Sequence, residues 1–343
     1  MKGRKIVSTL LALLLFASLP VSALAATWDI GNGDITVNAG SGGQTVTQGS
    51  QVDVPDDAPV ITGSSDEHSV TINAEKDQTA NVTLSGVNID TSTEDKAAVS
   101  TNGEGNVSIE LDGENTLKSD EGHAGLEKNN GGKLTIADKD KNGKLTAEGG
   151  KYGAGIGGGN KGDGKDIAIS GDAKVNAQGG DQSGAGIGGG KEGAGSGIAI
   201  SGGEVKATGG DFGAGIGGGD DGNGENIAIS GGKVTAKSSK NGAGIGGGMW
   251  GKGKDITVSG DAQLKVQGGV GDYFDGPGAG IGDGGSRPKG STGGSPIPGA
   301  EVGPDTSGLT TNGSIEYYAP GADMEKDKPT STTTGKPTEP GKP

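Results

Sequence analysis

Cysteine is absent from this chain of 343 residues, and aromatic residues make up only 3% of it. The first absence excludes disulfide bonds, thiol catalysis and cysteine-ligated metal sites. Histidine is scarce as well, because only His68 and His123 are present, in unlike sequence contexts, and no Gly-x-Ser-x-Gly nucleophile motif occurs. We therefore predict a protein without enzymatic activity. A polysaccharide lyase with clustered acids and calcium is the less favoured alternative.

Acidic residues outnumber basic ones, 44 against 29, and the formal net charge is −15. A chain this acidic will not attract nucleic acid or anionic lipid through its bulk charge, although it can attract cations. Glycine is the abundant residue, with 77 copies. Such a composition borders on that of disordered chains unless the glycines follow a period, and here they do.

The first 26 residues have the three parts of a secretory signal peptide. Lys2, Arg4 and Lys5 form a basic start, an apolar run extends from Leu10 to Leu19, and Ala23-Leu24-Ala25 gives the small-x-small cleavage pattern. The apolar run is too short to remain as a membrane anchor. The sequence predicts an extracellular protein, secreted or associated with the cell surface, with no membrane segment after cleavage.

A repeat of about thirty residues organises the middle of the chain. The segment Gly-Ala-Gly-Ile-Gly begins at Gly153, Gly184, Gly213, Gly242 and Gly278. Two other short apolar-x-apolar segments recur between its copies, as in Ile167-Ala-Ile-Ser and Lys174-Val-Asn-Ala. Alternation places every second side chain inward, and glycine, asparagine and aspartate end each segment after a few residues. No segment has helical periodicity over a useful length.

The repeat predicts an all-β fold, a right-handed parallel β-helix of about seven or more coils. A single coil cannot bury its apolar face, whereas stacked coils can, at a spacing of about 4.8 Å. We predict a signal peptide over 1–26, an N-terminal cap with lead-in coils over 27–80, and the β-helix over 81–285. Residues 286–343 are rich in proline, glycine, serine and threonine, which predicts a linker or tail.

The Gly-Ala-Gly-Ile-Gly-Gly copies formally fit the Gly-x-Gly-x-x-Gly fingerprint of dinucleotide-binding folds. That fingerprint needs a strand before it and a helix after it, so that the pyrophosphate meets a helix N-terminus. No helix is predicted here, and four tandem copies do not suit one cofactor. We interpret the glycines as structural.

Two sets of oxygen-bearing side chains are possible calcium ligands. Asp138, Asp140 and Asn142 fit the start of an EF-hand loop, but position twelve is Gly149, so a plain turn is the favoured alternative. The second set lies in equivalent loops of successive coils, where its carboxylates either coordinate a cation or point into water; it comprises Asp163, Asp166, Asp220, Asp221, Glu225 and Asp255.

Aromatic residues mark a candidate ligand surface. Tyr152 and Phe212 each precede a Gly-Ala-Gly-Ile-Gly segment, two coils apart, a distance of about 9.6 Å. Trp250, Tyr273 and Phe274 lie in later loops and extend the row. Exposed rings at this spacing suit alternate sugars of a linear glycan, and local packing over a glycine-rich corner is the alternative.

The signal peptide, the segment Asn81-Val-Thr-Leu-Ser-Gly-Val-Asn-Ile and the Gly-Ala-Gly-Ile-Gly-Gly-Gly coils resemble surface proteins of clostridia and related gut Firmicutes that carry a carbohydrate-binding β-helix domain. The resemblance covers about residues 27–285. It implies a right-handed parallel β-helix, bound calcium, and binding to plant-type polysaccharides such as cellulose or polygalacturonate. We therefore predict a carbohydrate-binding protein whose partner is a plant-type or cell-wall glycan. A structural stalk or adhesin that presents another module is the alternative.

Overall fold

The computed structural model describes residues 25–288 and 295–335. Nearly all of the signal-peptide prediction lies outside these ranges, because it covers residues 1–26. Within them the chain forms β-strands and one short 3-10 helix, Ile30–Asn32. Within residues 25–288 and 295–335, no helix has the length and apolarity needed to cross a membrane.

The strands make three sheets, whose members follow one another along the solenoid. The first sheet contains β1 (Thr27–Asp29), β5 (Val60–Thr62), β8 (Thr79–Ser85), β11 (Asn106–Asp112), β14 (Leu134–Asp138), β17 (Gly164–Lys165), β18 (Ile167–Gly171), β21 (Gly195–Ser196), β22 (Ala199–Ile200), β25 (Gly224–Ile229) and β28 (Gly253–Val258).

The second sheet contains β2 (Ile35–Gly40), β3 (Gly43–Gln48), β4 (Gln51–Pro55), β7 (Val70–Ala74), β10 (Val99–Gly103), β13 (Leu126–Lys128), β16 (Ile156–Gly157), β20 (Ile187–Gly188), β24 (Ile216–Gly217), β27 (Ile245–Gly246) and β30 (Ile281–Gly282). The third contains β6 (Ser64–Ser65), β9 (Asn88–Thr91), β12 (Glu114–Ser119), β15 (Lys144–Glu148), β19 (Lys174–Gln178), β23 (Glu204–Thr208), β26 (Lys233–Lys237), β29 (Gln263–Gln267), β31 (Ser314–Tyr318) and β32 (Ser331–Thr334).

The three sheets enclose one aliphatic core. The parallel register places equivalent residues of successive coils next to one another. Ile136 pairs with Ile169, and Ile187 pairs with Ile216. Side chains at these inward positions are fully buried. Within the described ranges, nine parallel strands follow one another in the second sheet from β2 to β30. The predicted parallel β-helix of seven or more coils is therefore confirmed.

Glycine is required where the second sheet is narrowest. Gly157, Gly188, Gly217, Gly246 and Gly282 have φ between +132° and +142°, a region that other residues rarely adopt. A Cβ on Gly217 would lie 2.0 Å from the carbonyl oxygen of Gly246. The repeated glycine therefore permits both the backbone turn and the close approach of neighbouring coils.

The N-terminal end is covered by the antiparallel ribbon β2–β3–β4. Trp28 lies under this end and is almost fully buried, and its Nε1 donates a hydrogen bond to Asp56 Oδ2 at 2.9 Å. Strands β1, β2, β5 and β7 already stack in parallel on the coils that follow. The segment 27–80 therefore supplies both the cap and the first coils.

The C-terminal segment departs from the predicted linker. Strand β31 adds to β29 in parallel register, and β32 pairs with β31 in antiparallel register. Ile315 is fully buried, and Leu309 almost fully, against the last coil. The linker prediction for 286–343 is wrong for this part of the tail, since one alternating segment, Ser-Ile-Glu-Tyr-Tyr318, is enough to continue the sheet. Residues 289–294 and 336–343 lie outside the described ranges.

Candidate binding edge

A row of stacked loops connects the third sheet to the second. We call them the corner loops; they comprise residues 149–152, 179–183, 209–212, 238–241 and 268–277. Their backbones are joined from coil to coil, since Gly180 N donates to Gly153 O at 2.9 Å and Gly210 N donates to Gly184 O at 3.0 Å. The last loop continues the row, because Gly269 N donates to Gly242 O at 3.0 Å.

Aromatic residues occupy alternate corner loops. Tyr152 lies in the first loop, Phe212 in the third, and Tyr273 with Phe274 in the enlarged fifth. Tyr152 and Phe212 are half-buried. Trp250 belongs to the turn that packs on the third loop, where Met249 N donates to Phe212 O at 2.7 Å.

All five predicted ligand-binding residues therefore lie along one edge of the solenoid, which we call the aromatic edge. The other aromatic residues in the described ranges belong to the two ends: Trp28 under the N-terminal ribbon, and Tyr317 and Tyr318 in the last strand pair of the third sheet. Between the two ends, every aromatic side chain of the described solenoid is thus on this edge.

Positive side chains flank the first ring. The Nζ atoms of Lys151 and Lys191 lie 4.9 Å and 5.2 Å from the centroid of the Tyr152 ring, within the range of cation–π attraction. The Tyr152 hydroxyl, followed by the carboxylate of Glu121, raises the pKa of Lys151. Each lysine also lies near a glutamate, Lys151 at 3.9 Å from Glu121 and Lys191 at 4.0 Å from Glu192, so the ring is bordered by two ion pairs.

The fifth loop presents the most exposed rings of the edge. Tyr273 is 86% exposed and Phe274 52% exposed, and their ring centroids lie 5.1 Å apart at an interplanar angle of 87°. The turn beneath them is fixed by Asp272 Oδ1, which accepts from Phe274 N and Asp275 N, each at 2.8 Å. The rings therefore project from an ordered turn.

Arg287 links this loop to Trp250. Its guanidinium carbon lies 5.8 Å from the Trp250 ring centroid, and its Nε lies 3.6 Å from Asp275 Oδ1. Asn241 lies behind the loop and donates through Nδ2 to Asp275 O and Gly276 O. The edge thus combines aromatic rings with fixed hydrogen-bonding groups.

A polar cleft of about 440 Å³ borders the first two corner loops. It spans four coils, from Ser92 onward, and its lining includes Lys118, Glu148, Lys151, Gln178 and Gln182. Because Asp120, Glu121, Glu148 and Asp181 also line the cleft, its amide and carboxylate groups suit the hydroxyl groups of a saccharide. The sequence did not reveal the cleft, nor the positions of Lys191 and Arg287, because their neighbours are distant along the chain.

The segment that resembles an EF-hand loop is a tight turn. Asp138 occupies an inward position and is fully buried, and its carboxylate accepts hydrogen bonds from the backbone N–H groups of Asp140, Lys141 and Gly143. Burial alone would raise the pKa of Asp138, but these hydrogen bonds outweigh it and lower the pKa. Asp140 Oδ2 accepts from Asn142 Nδ2 at 3.2 Å. This is the plain turn that the sequence left open.

The second set of candidate calcium ligands is spread over separate positions of successive coils. Asp163 accepts from Ala194 N at 2.7 Å and pairs with Lys165 at 2.6 Å. Asp166 and Asp255 occupy equivalent left-handed corners, with φ of 54° and 53°. They are three coils apart, about 14 Å.

Glu225 and Asp255 have partners of their own. The Glu225 carboxylate is 3.4 Å from Asn223 Nδ2, and Asp255 pairs with Lys254 at 3.3 Å. Within residues 25–288 and 295–335, no three histidine, aspartate or glutamate side chains approach closely enough to hold a metal ion. Calcium binding therefore stays a prediction, and the aromatic edge is described by its side chains alone.

Asp220 differs from the rest of that set. It is almost fully buried, and its Oδ1 has no hydrogen-bond partner among the described residues. Burial, followed by the charge of the neighbouring Asp221, raises its pKa to about 6, although Lys191 opposes the shift. Burial therefore keeps this carboxyl group protonated to a higher pH than an ordinary aspartate.

The comparisons agree with this architecture. A family model described as a β-helix repeat matches residues 141–160, 167–191, 198–220 and 227–249. Each match contains a strand of the third sheet, a corner loop and a Gly-Ala-Gly-Ile-Gly segment. No curated protein and no solved structure matches the chain. The repeat match and the three continuous parallel sheets together identify the chain as a parallel β-helix protein.

Proposed function

We propose that this protein is an exported, non-catalytic β-helix that binds a linear polysaccharide along its aromatic edge. One observation carries the proposal: between the two ends of the described solenoid, every aromatic side chain lies on that edge. A chain with few aromatic residues has no packing reason to gather them there, since its core is aliphatic.

The spacing of the rings suits a glycan that runs parallel to the solenoid axis. Tyr152, Phe212 and the Tyr273–Phe274 pair come from the first, third and fifth corner loops, so successive platforms are about 9.6 Å apart before the enlargement of the last loop. Aromatic faces attract the C–H faces of sugars because they combine apolar area with a negative π-surface. Every second sugar along the chain would then meet a ring.

The charged groups of the edge favour an acidic or strongly hydroxylated ligand. Lys151 and Lys191 stand beside Tyr152, and Arg287 stands beside Trp250. Ammonium and guanidinium groups donate charge-assisted hydrogen bonds to carboxylates, which are stronger than neutral ones. The proposed ligands therefore include uronic-acid polymers, and the proposed binding does not involve calcium.

The test is affinity electrophoresis of residues 27–335 through gels that contain single polysaccharides. We expect retardation by at least one plant-type or cell-wall glycan. Tyr152→Ala combined with Phe212→Ala is expected to remove most of it, because two platforms are lost. Val52→Ala is the matched control, since Val52 is an exposed apolar residue on the N-terminal ribbon. Equal retardation of the double variant and the control would contradict the proposal.

A structural stalk or adhesin is the second candidate, and the uniform register of the coils favours it. The second sheet runs from the N-terminal ribbon to β30 and the third from β6 to the C-terminal strand pair, which suits a rigid spacer. Unchanged migration of the wild-type protein in every glycan gel would favour this candidate over the first.

A further inference from the structure

The outer side of the third sheet carries an excess of positive charge on an otherwise acidic protein. Strands β15, β19, β23, β26 and β29 alternate between inward and outward residues, with three outward positions each, of which Gln267 on β29 is covered by the C-terminal segment. The outward lysines are Lys144, Lys174, Lys206, Lys233, Lys237 and Lys265, against two glutamates, Glu148 and Glu204. We call this surface the lysine face. Its local charge is opposite in sign to the net charge of −15.

Half of these lysines have no acidic partner within the described residues. Lys144 pairs with Glu114 at 3.5 Å, and Lys206 pairs with Glu204 at 3.7 Å. Lys265 pairs with Glu325, 3.9 Å away. No ion pair of Lys174, Lys233 or Lys237 is found in residues 25–288 and 295–335. The lysines without an acidic partner lie on β19 and β26, between paired ones, and Glu316 and Glu325 border the C-terminal end of the face.

The face is a shallow trough rather than a closed pocket. Two adjoining depressions, of about 420 Å³ and 390 Å³, share Glu204 and Lys206 and together extend from Lys144 to Glu316. Each strand is five residues long, which makes the trough about 13 Å wide between its outermost outward side chains. An occupant must therefore be long and thin, and must cross the strands.

The side chains of the lysine face can interact with a ligand only through charge and hydrogen bonds. Its remaining outward residues on these five strands are threonine, asparagine and glutamine, and none is aromatic. Lysine is a compact point charge on a flexible stem, whereas planar bidentate recognition of carboxylates favours arginine. The described residues contain one arginine, Arg287, and it lies on the aromatic edge. Lysines without arginine act as point charges, and in that role lysine is a common ligand of phosphate.

We propose that the lysine face binds a linear phosphodiester polymer, which lies in the trough parallel to the solenoid axis. Binding at this surface is separate from binding at the aromatic edge. A polymer with one negative charge per unit releases condensed counterions when lysines neutralise it, which supplies affinity without a closed pocket. The acidic remainder of the protein repels the same polymer and confines it to the trough.

The experiment uses poly(glycerol phosphate) as the probe, in affinity electrophoresis with the wild-type protein and two triple variants. The first variant combines Lys174→Gln, Lys206→Gln and Lys233→Gln. The matched control changes the net charge by the same amount at exposed lysines elsewhere and combines Lys139→Gln, Lys161→Gln and Lys254→Gln. We expect the dissociation constant to rise about tenfold or more in the first variant and to change little in the control.

Two further measurements keep the proposal falsifiable if the first variant folds poorly. The wild-type complex is expected to dissociate as salt is raised, because its affinity comes from counterion release. At 1 M salt the screening length is roughly threefold shorter than at 0.1 M. A wild-type complex that persists at 1 M salt would overturn the proposal. The Tyr152→Ala, Phe212→Ala variant is expected to keep its binding to poly(glycerol phosphate).

The remaining outcomes also decide the proposal. Equal weakening in both triple variants would mean that only net charge matters, and would overturn it. Retardation of the wild-type protein by polygalacturonate but not by poly(glycerol phosphate) would overturn the assignment to phosphate. Retardation by neither polymer would overturn the anion-binding surface altogether.

Discussion

Replacing one glycine of the second sheet by alanine is a direct test of how closely the coils pack. Gly217 has a φ of +136°, and a Cβ there would lie 2.0 Å from Gly246 O, a carbonyl that already accepts from Gly218 N at 2.9 Å. Backbone strain in a region of φ and ψ nearly restricted to glycine costs about 1–3 kcal/mol. Moving the carbonyl away by about 1 Å weakens at least one backbone hydrogen bond, worth about 1 kcal/mol.

Together these effects predict that Gly217→Ala lowers the free energy of unfolding by about 2–4 kcal/mol. The assay is urea unfolding followed by far-ultraviolet circular dichroism, where a loss of this size moves the midpoint by about 1 M or more. Gly303→Ala is the matched control, because nothing lies within 4 Å of a Cβ at Gly303 and its φ is not in the left-handed region. We expect the control to stay within about 0.5 kcal/mol of the wild type. Equal midpoints for the two variants would refute the close-packing argument.

Three further predictions concern single buried positions. Ile216→Ala should lower the free energy of unfolding by about 2–5 kcal/mol in the same urea assay, because it leaves a cavity in a fully buried ladder; a loss below about 1 kcal/mol would contradict the packing. Asp138→Ala should cost about 1–3 kcal/mol because three backbone N–H groups lose their acceptor, whereas Asp140→Ala, at an exposed position, should cost less than about 0.5 kcal/mol. Asp220 has a folded-state pKa of about 6 against an ordinary 3.8, so the folded state binds the extra proton between these values and stability should fall as pH rises from 4 to 6. Asp220→Asn should remove that fall, by roughly 2 kcal/mol, and an unchanged pH profile of the thermal midpoint would exclude the shift.

The fold could be predicted from the sequence because the same apolar-x-apolar and glycine segments recur at a period of about thirty residues. The Gly-Ala-Gly-Ile-Gly and Ile-x-Ile-Ser segments each predicted one strand position per coil, and all of them lie in the expected sheets. The C-terminal strand pair was missed because it has a single alternating segment and no second copy to confirm a phase. A lone strand is stabilised by the sheet that it joins, and that contact is not visible in its own residues.

The candidate site was predictable only where its residues share a position in the repeat. Tyr152 and Phe212 share a phase in the repeat, so the sequence placed them on one edge. Lys191 reaches the Tyr152 ring from the turn of the next coil, and Arg287 reaches Trp250 from the segment beyond the last repeat. Such contacts depend on side-chain direction at corners, which the period alone does not determine.

The alternation of rings and small polar residues along the edge has a physical consequence for binding. Aromatic residues in consecutive coils would stand about 4.8 Å apart, within the range in which rings stack on one another, and their faces would be covered. Ser183 separates Tyr152 from Phe212, and Asn241 separates Phe212 from the fifth loop; both are almost fully buried. The doubled spacing of about 9.6 Å keeps successive rings from stacking on one another. Because Ser183 and Asn241 occupy the same phase as the rings, the edge presents separated aromatic faces to a ligand instead of a closed aromatic stack.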